Sequence, residues 1–234
     1  MTNGSHNGAF PATKHREDQV RILIADDHEM IRQGLRHMIE RHGRWKVCGE
    51  AASGRDAVEL ARKLLPHIVI IDLVMPELNG IEATRQIKKH LPQTEVLVFS
   101  ILESDQLIHQ VLEAGARGYL VKSDLGQHIV DALEALVEHQ TYFTASVSKI
   151  MLSAYLGRER PALEEDRSTT KLTPREREVI QLVGEGYGNK VSAARLGMSV
   201  KTLETHRAAI MRKLDIHSTA ELVRYAVRNS IIAA

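Results

Sequence analysis

The run Ile68-Val-Ile-Ile71, ended by Asp72 and followed by Met75-Pro76, constrains the fold more than any other stretch. Side chains of a strand alternate between faces, so four apolar residues in a row need cover on both sides. A parallel sheet between two helical layers supplies that cover. A carboxylate inside such a sheet is costly to bury. At the carboxyl end of a strand it lies where open α/β folds keep their ligand crevice. Similar runs recur at 20–25, 46–50, 95–100 and 118–121. Between them lie helical spacings such as Ile31, Leu35, Met38 and Ile39, then Val58, Leu60, Ala61 and Leu64, and later Ile129, Leu133 and Leu136. This alternation predicts an α/β domain over 20–140, built on a five-stranded, parallel, doubly wound sheet.

Beyond residue 140 the pattern changes. Residues 144–156 read as one more helix, and 157–171 are polar, with Pro161, Glu164, Glu165 and Asp166. Residues 141–170 are therefore expected to form a linker helix and an interdomain linker. From 171 to 234 no strand-like run remains, and helix starts follow one another. Thr173-Pro174 with Glu176 is a capping box with proline at the first helical position. Ser199 caps a helix expected over 200–214, and Ser218 with Glu221 caps the next. Gly197 ahead of Ser199 gives the turn of a helix-turn-helix, so a small all-α domain is expected here. Residues 1–19 lack the apolar core of a signal peptide and read as a disordered tail.

Hydrophobic residues make up 43% of the chain, enough for real cores, and general disorder is excluded. A single cysteine, Cys48, fits a reducing compartment, and no long apolar stretch suggests a membrane span. A cytoplasmic protein is expected. Residues 171–234 hold 11 lysines and arginines against 6 acids, a surplus of 5, whereas the remaining 20 against 24 leave −4. An acidic first part and a basic second part suggest different partners.

The first and third strands of such a sheet are neighbours at the switch point. The first ends in Asp26-Asp27 and the third in Asp72, so three carboxylates converge at one edge. Unpartnered, they would repel. A hard cation such as Mg²⁺, which takes oxygen ligands and commonly bridges to phosphate, resolves this. The fifth strand brings Lys122 to the same edge and the fourth brings Ser100. Such a set suits transfer of a phosphoryl group onto a carboxylate, with Asp72 as nucleophile and the cations neutralising charge.

Over residues 20–139 the chain resembles the receiver domains of bacterial two-component response regulators. The likeness rests on Ile24-Ala-Asp-Asp-His28, Ile71-Asp-Leu-Val-Met-Pro76 with Gly80, Val98-Phe-Ser100 and Gly118-Tyr-Leu-Val-Lys122. It implies that Asp72 accepts phosphate from a sensor histidine kinase. It also implies that Asp26, Asp27, Asp72 and the backbone carbonyl of Val74 hold Mg²⁺. Ser100 and Lys122 would contact the phosphoryl oxygens, and Tyr119 would change rotamer with Ser100. Ser123 stands where many receivers have proline. Val74 and Leu102 are apolar where water would approach, so slow self-dephosphorylation is expected and no other enzymatic turnover.

In the segment 200–214, Val200, Leu203, Ile210 and Leu214 repeat at helical spacing and should face a core. Lys201, Glu204, Thr205 and Ala208 lie largely opposite, flanked by Arg207 and Arg212. On pattern alone this face could enter a major groove or simply be wet. Residues 171–232 resemble the LuxR-type helix-turn-helix of the NarL/FixJ regulators. That likeness makes 200–214 the recognition helix, with Glu204, Thr205 and Ala208 toward bases. Lys201, Arg207 and Arg212 would lie near the DNA backbone, with Thr202 among the contacts. The helix around 221–228 would dimerise through Leu222, Val223 and Ala226. Val191-Ser192 departs from the usual polar-then-aliphatic order, and should turn a hydroxyl inward and a valine outward. His206 should be packed rather than reading bases.

Together these features predict a phosphorylation-dependent transcriptional regulator, a homodimer when phosphorylated, binding double-stranded DNA and no membrane. Two rivals stand beside it. In one, the C-terminal domain mainly binds protein. In the other, the chain is an aspartate-dependent phosphohydrolase, which would need an acid near Asp72 that Leu73-Val74 does not supply.

Overall fold

The computed structural model describes residues 19–101, 104–157 and 172–232. Strands and helices alternate from the start: β1 (Val20–Ala25), α1 (Glu29–Glu40), β2 (Trp45–Ala51), α2 (Gly54–Leu64), β3 (Ile68–Ile71), α3 (Gly80–His90) and β4 (Glu95–Ser100). Next come α4 (Asp105–Glu113), β5 (Gly118–Val121), one 3-10 turn at Lys122–Asp124, α5 (Leu125–Val137), β6 (Tyr142–Phe143) and α6 (Ala145–Gly157). The sheet runs β2-β1-β3-β4-β5-β6, and every neighbouring pair is parallel.

The apolar run of β3 behaves as a doubly covered strand should. Ile68 and Ile70 join Leu35, Ile39, Leu97, Phe99 and Leu133 under α1 and α5. Val69 and Ile71 join Ala57, Ile87, Val98 and Ile108 under α2, α3 and α4. In β2, Val47 pairs with Ile22 but Gly49 with Leu23, so Cys48 is the extra residue of a bulge. The single tryptophan, Trp45, is buried at the start of β2 and stacks on His42 with ring centroids 3.7 Å apart.

The sheet has six strands, not five. β6 pairs Tyr142 with Gly118 and Phe143 with Tyr119, and two residues are too few for an apolar run to be read. Residues 141–157 also prove less linker-like than expected. Val147 of α6 is fully buried in the cluster that contains Leu107, Val111 and Tyr119, so α6 packs on the α4–β5 flank. The expected tail falls outside the described residues up to position 18, as do 158–171 of the linker.

Four helices form the second domain: α7 (Pro174–Gly184), α8 (Asn189–Arg195), α9 (Val200–Lys213) and α10 (Thr219–Arg228). The starts of α7, α9 and α10 are those expected. Thr173 and Glu176 close the capping box, Ser199 accepts from the Thr202 amide at 3.1 Å, and Ser218 accepts from Glu221 at 3.2 Å. Leu182, Leu196, Leu203, Ile210, Leu222 and Ala226 form one core. Ser192 is fully buried and its hydroxyl donates to the Tyr187 carbonyl at 3.3 Å, whereas Val191 is 45% exposed. The inverted order therefore stands with its hydroxyl satisfied, and α8 does not need to rotate.

Candidate functional site

The carboxyl ends of β1 and β3 lie side by side, with Ala25 opposite Ile71 and the Asp72 amide donating to the Ala25 carbonyl at 2.9 Å. Asp26 and Asp72, the next residue in each strand, thereby share one edge, and both are buried. Behind Asp72, α3 begins so close that only glycine fits. A Cβ on Gly80 would lie 2.0 Å from the Asp72 carbonyl oxygen. The Gly80 amide donates to the Leu73 carbonyl at 2.8 Å, and Asn79 caps α3 by accepting from Glu82 at 3.0 Å.

Lys122 stands between the two acids. Its ammonium donates to Asp26 Oδ2 and to Asp72 Oδ2, both at 2.7 Å, and lies 5.4 Å from the centre of the Phe99 ring. Asp72 Oδ1 accepts from the Leu73 amide at 2.7 Å. Burial pushes the Asp72 carboxyl up from its ordinary value, partly offset by Lys122 and reinforced by the Asp26 charge. Burial by itself would lower Lys122, but hydrogen bonds and charge from Asp26 and Asp72 outweigh it and the net shift is upward. The site is thus short of positive charge. Side-chain ligand atoms of Asp26, Asp27, His28 and Asp72 lie within 4.8 Å of one another, and the three carboxylates among them are hard-oxygen donors compatible with Mg²⁺. Val74, partly buried, follows on the loop after Asp72.

Ser100 ends β4 opposite Val121, and Tyr119 pairs with Val98 one strand over; both side chains are fully buried. Leu102 falls outside the described residues. Two residues of this corner were missed in the sequence. His28 Nδ1 lies 2.7 Å from Asp27 Oδ1 and 3.3 Å from Asp26 Oδ1, and its place directly after the two acids was the signal. Arg32 donates through Nη1 to the Asp26 carbonyl at 2.8 Å and through Nε to Glu50 at 3.2 Å, bracing the end of β1. Its contact spans β1, α1 and β2, and no local pattern announces it.

In the second domain, Lys201, Glu204, Thr205, Ala208 and Arg212 form an exposed stripe along α9, while Leu203 and Ile210 face the core. Thr202 is exposed, its amide engaged by the Ser199 cap. His206 is partly buried. Arg207 is partly buried beside the stripe and donates to Asn189 Oδ1 and to Thr219 Oγ1. One expectation needs correction. Leu222 and Ala226 are fully buried in the domain's own core, because α10 must pack on α7; of the three residues expected to dimerise only Val223 is partly exposed.

The two domains meet through α7. Gln181, fully buried, donates to the Met75 carbonyl at 2.8 Å and accepts from the Asn79 amide at 2.7 Å. Glu185 accepts from the Glu77 amide at 3.0 Å, Arg177 donates to Glu82 at 2.7 Å, and Arg195 pairs with Glu77 at 2.6 Å. Burial pushes the Glu185 carboxyl up, with Gln181 and the Glu77 amide offsetting only part of it. The grip falls on the loop that follows Asp72 and on Glu82 in the first turn of α3, and it leaves the α9 stripe open.

Comparison with known proteins agrees with both halves. Residues 22–134 match the response regulator receiver domain, and residues 170–226 match the bacterial regulatory proteins of the luxR family. The transcriptional regulatory protein LiaR of Bacillus subtilis is 36% identical over 213 residues, 91% of this chain and 99% of that protein. The response regulator protein VraR of Staphylococcus aureus is 33% identical over the same shares. A solved structure of the RcsB response regulator of Salmonella typhimurium aligns with a TM-score of 0.61 at 26% identity, covering 89% of this chain and 96% of that one. No described helix is long and apolar enough to cross a membrane. The chain belongs to the response regulators that join a receiver domain to a LuxR-type helix-turn-helix domain.

Proposed function

We propose that this regulator accepts a phosphoryl group on Asp72 from a sensor histidine kinase in the cytoplasm, and then binds DNA as a homodimer through α9. The observation that carries the reading is the convergence of Asp26, Asp27 and Asp72 within 4.8 Å at two adjoining strand ends, with Lys122 bridging Asp26 and Asp72. Asp26, Asp27, Asp72 and the Val74 carbonyl would hold Mg²⁺, whose charge offsets that of the transferring oxygens.

An Asp72 carboxylate oxygen forms the new bond to phosphorus. The bond from phosphorus to the kinase histidine nitrogen breaks, and that nitrogen leaves with the electron pair. Lys122 bridges the two acids beforehand, and its ammonium and the Ser100 hydroxyl would meet the phosphoryl oxygens. Val74 narrows the approach of water to the product, which favours a long-lived phosphorylated state. The modification replaces the single carboxylate charge with a phosphoryl group carrying about −1.5 to −2, a net gain of about −0.5 to −1. Ser100 and Tyr119 adjust to it, and Tyr119 shares its buried cluster with Leu107 and Val111 of α4 and Val147 of α6. A shift there reaches the helix that leads to the DNA-binding domain.

Incubation with acetyl phosphate and Mg²⁺, read by intact mass, tests the reading. Wild type gains the mass of one phosphoryl group and Asp72→Asn gains none. Equal labelling of the two, or no labelling of a folded wild type, sinks it.

A further inference from the structure

Building on the DNA-binding reading, we propose that Glu204 selects cytosine at one position of each half-site, and that Asn189 is the positioning residue for its carboxylate. The stripe on α9 has cations toward its ends, Lys201 and Arg212, but its middle holds Glu204, Thr205 and Ala208. Thr205 has its hydroxyl proton engaged with the Lys201 carbonyl at 2.9 Å, and Ala208 carries no polar group. Glu204 is therefore the one charged side chain at the centre of the reading face, and it is negative. Between two phosphate backbones a carboxylate is repelled unless a base edge offers it a donor.

The carboxylate is held in place. Asn189, the first residue of α8, donates from Nδ2 to Glu204 Oε1 at 3.1 Å. Arg207 donates to the other end of the same amide, Asn189 Oδ1, and reaches back to Thr219 Oγ1 of α10 at 3.4 Å. The amide orientation follows from chemistry, because a guanidinium only donates and a carboxylate only accepts. A chain of contacts from α10 through α9 to α8 thus fixes one oxygen of Glu204, and Oε2 of this exposed side chain remains available as an acceptor.

In the major groove only cytosine N4 and adenine N6 present donors. Adenine sets its N7 acceptor beside N6, and an acceptor-only group opposes it. Guanine O6 and N7 and thymine O4 are acceptors and repel the carboxylate outright. Cytosine offers N4 beside its own C5–H, with the guanine O6 of the pair on its far side only, so a carboxylate can approach from the open side and a C·G pair is the best match.

Selection of bound duplexes from a randomised DNA pool by the full chain, phosphorylated with acetyl phosphate, tests this. Wild type, Glu204→Gln and Asn189→Ala are compared, each checked by circular dichroism for its helical content. The wild-type sites converge on a cytosine at one position per half-site, and replacing that pair weakens binding roughly 5- to 100-fold. Glu204→Gln moves the preference to adenine, whose N6 and N7 a glutamine meets with both its groups. Asn189→Ala weakens the cytosine preference while the salt dependence of binding stays as in wild type. Identical consensus sequences for wild type and Glu204→Gln, or a wild-type consensus without that cytosine, overturn the proposal and leave the DNA-binding reading standing. A folded wild type that retains no duplex even at low salt overturns both.

Discussion

At Asp72 and Gly80 the fold has no slack. The Asp72 carbonyl is pressed against the start of α3, so Gly80→Ala sets a methyl group where the carbonyl oxygen already is. The backbone after Asp72 must move to admit it, at a cost typical of overpacking, about 1–3 kcal/mol. Thermal unfolding of the receiver should shift down accordingly, and labelling by acetyl phosphate should slow, since the Val74 carbonyl moves with the loop. An unchanged melting temperature and labelling rate would refute the close approach. Residue by residue, the acids, Ser100 and Lys122 were legible because each closes an apolar strand run. Arg32 and Asn189 were not. Their roles depend on partners, Glu50 and Glu204, that lie in other elements.

Among the elements, α7 shows how local signals translate into stability. Thr173→Ala removes the side-chain half of a capping box and should cost about 0.5–2 kcal/mol in unfolding of the C-terminal domain. The Glu176 partner adds a pH dependence. Burial alone would raise its carboxyl, but Lys213 at 2.8 Å and the Thr173 amide outweigh it and hold it below the ordinary value of 4.5. The folded domain then binds fewer protons than the unfolded chain in that window. Its contribution is full above pH 4.5 and is lost as pH falls through the depressed value. Acid unfolding of Glu176→Gln should lack that component, and a profile identical to wild type would contradict the assignment. Helix starts of this kind were readable in the sequence because caps act over three residues. β6 escaped because two residues carry no period, and its pairing with β5 is settled by the distant packing of α6.

For the whole molecule, the docking of α7 falls on the loop that follows Asp72, which sets up a test of coupling between that loop and the C-terminal domain. Gln181 satisfies two backbone groups of the loop after Asp72, and an alanine there leaves both without a partner where water has poor access. Each unsatisfied group costs about 1–3 kcal/mol, so Gln181→Ala should release the domain. Small-angle scattering should then report a larger radius of gyration in the absence of phosphate. Linkage is reciprocal in free energy, so the same variant should also reach a higher labelled fraction with acetyl phosphate. Compact scattering and an unaltered labelled fraction would show that the grip carries no coupling. This contact was invisible in the sequence, because a glutamine and a glutamate on a helix read as solvent-facing until the surface that covers them is known. The stack of Trp45 on His42 has a practical consequence for any such experiment. The chain owns one indole, and it sits in the receiver. Its fluorescence reports the receiver, so a denaturation curve followed by tryptophan emission leaves the C-terminal domain, which holds Tyr187 and Tyr225 but no indole, unrecorded. Circular dichroism must supply it.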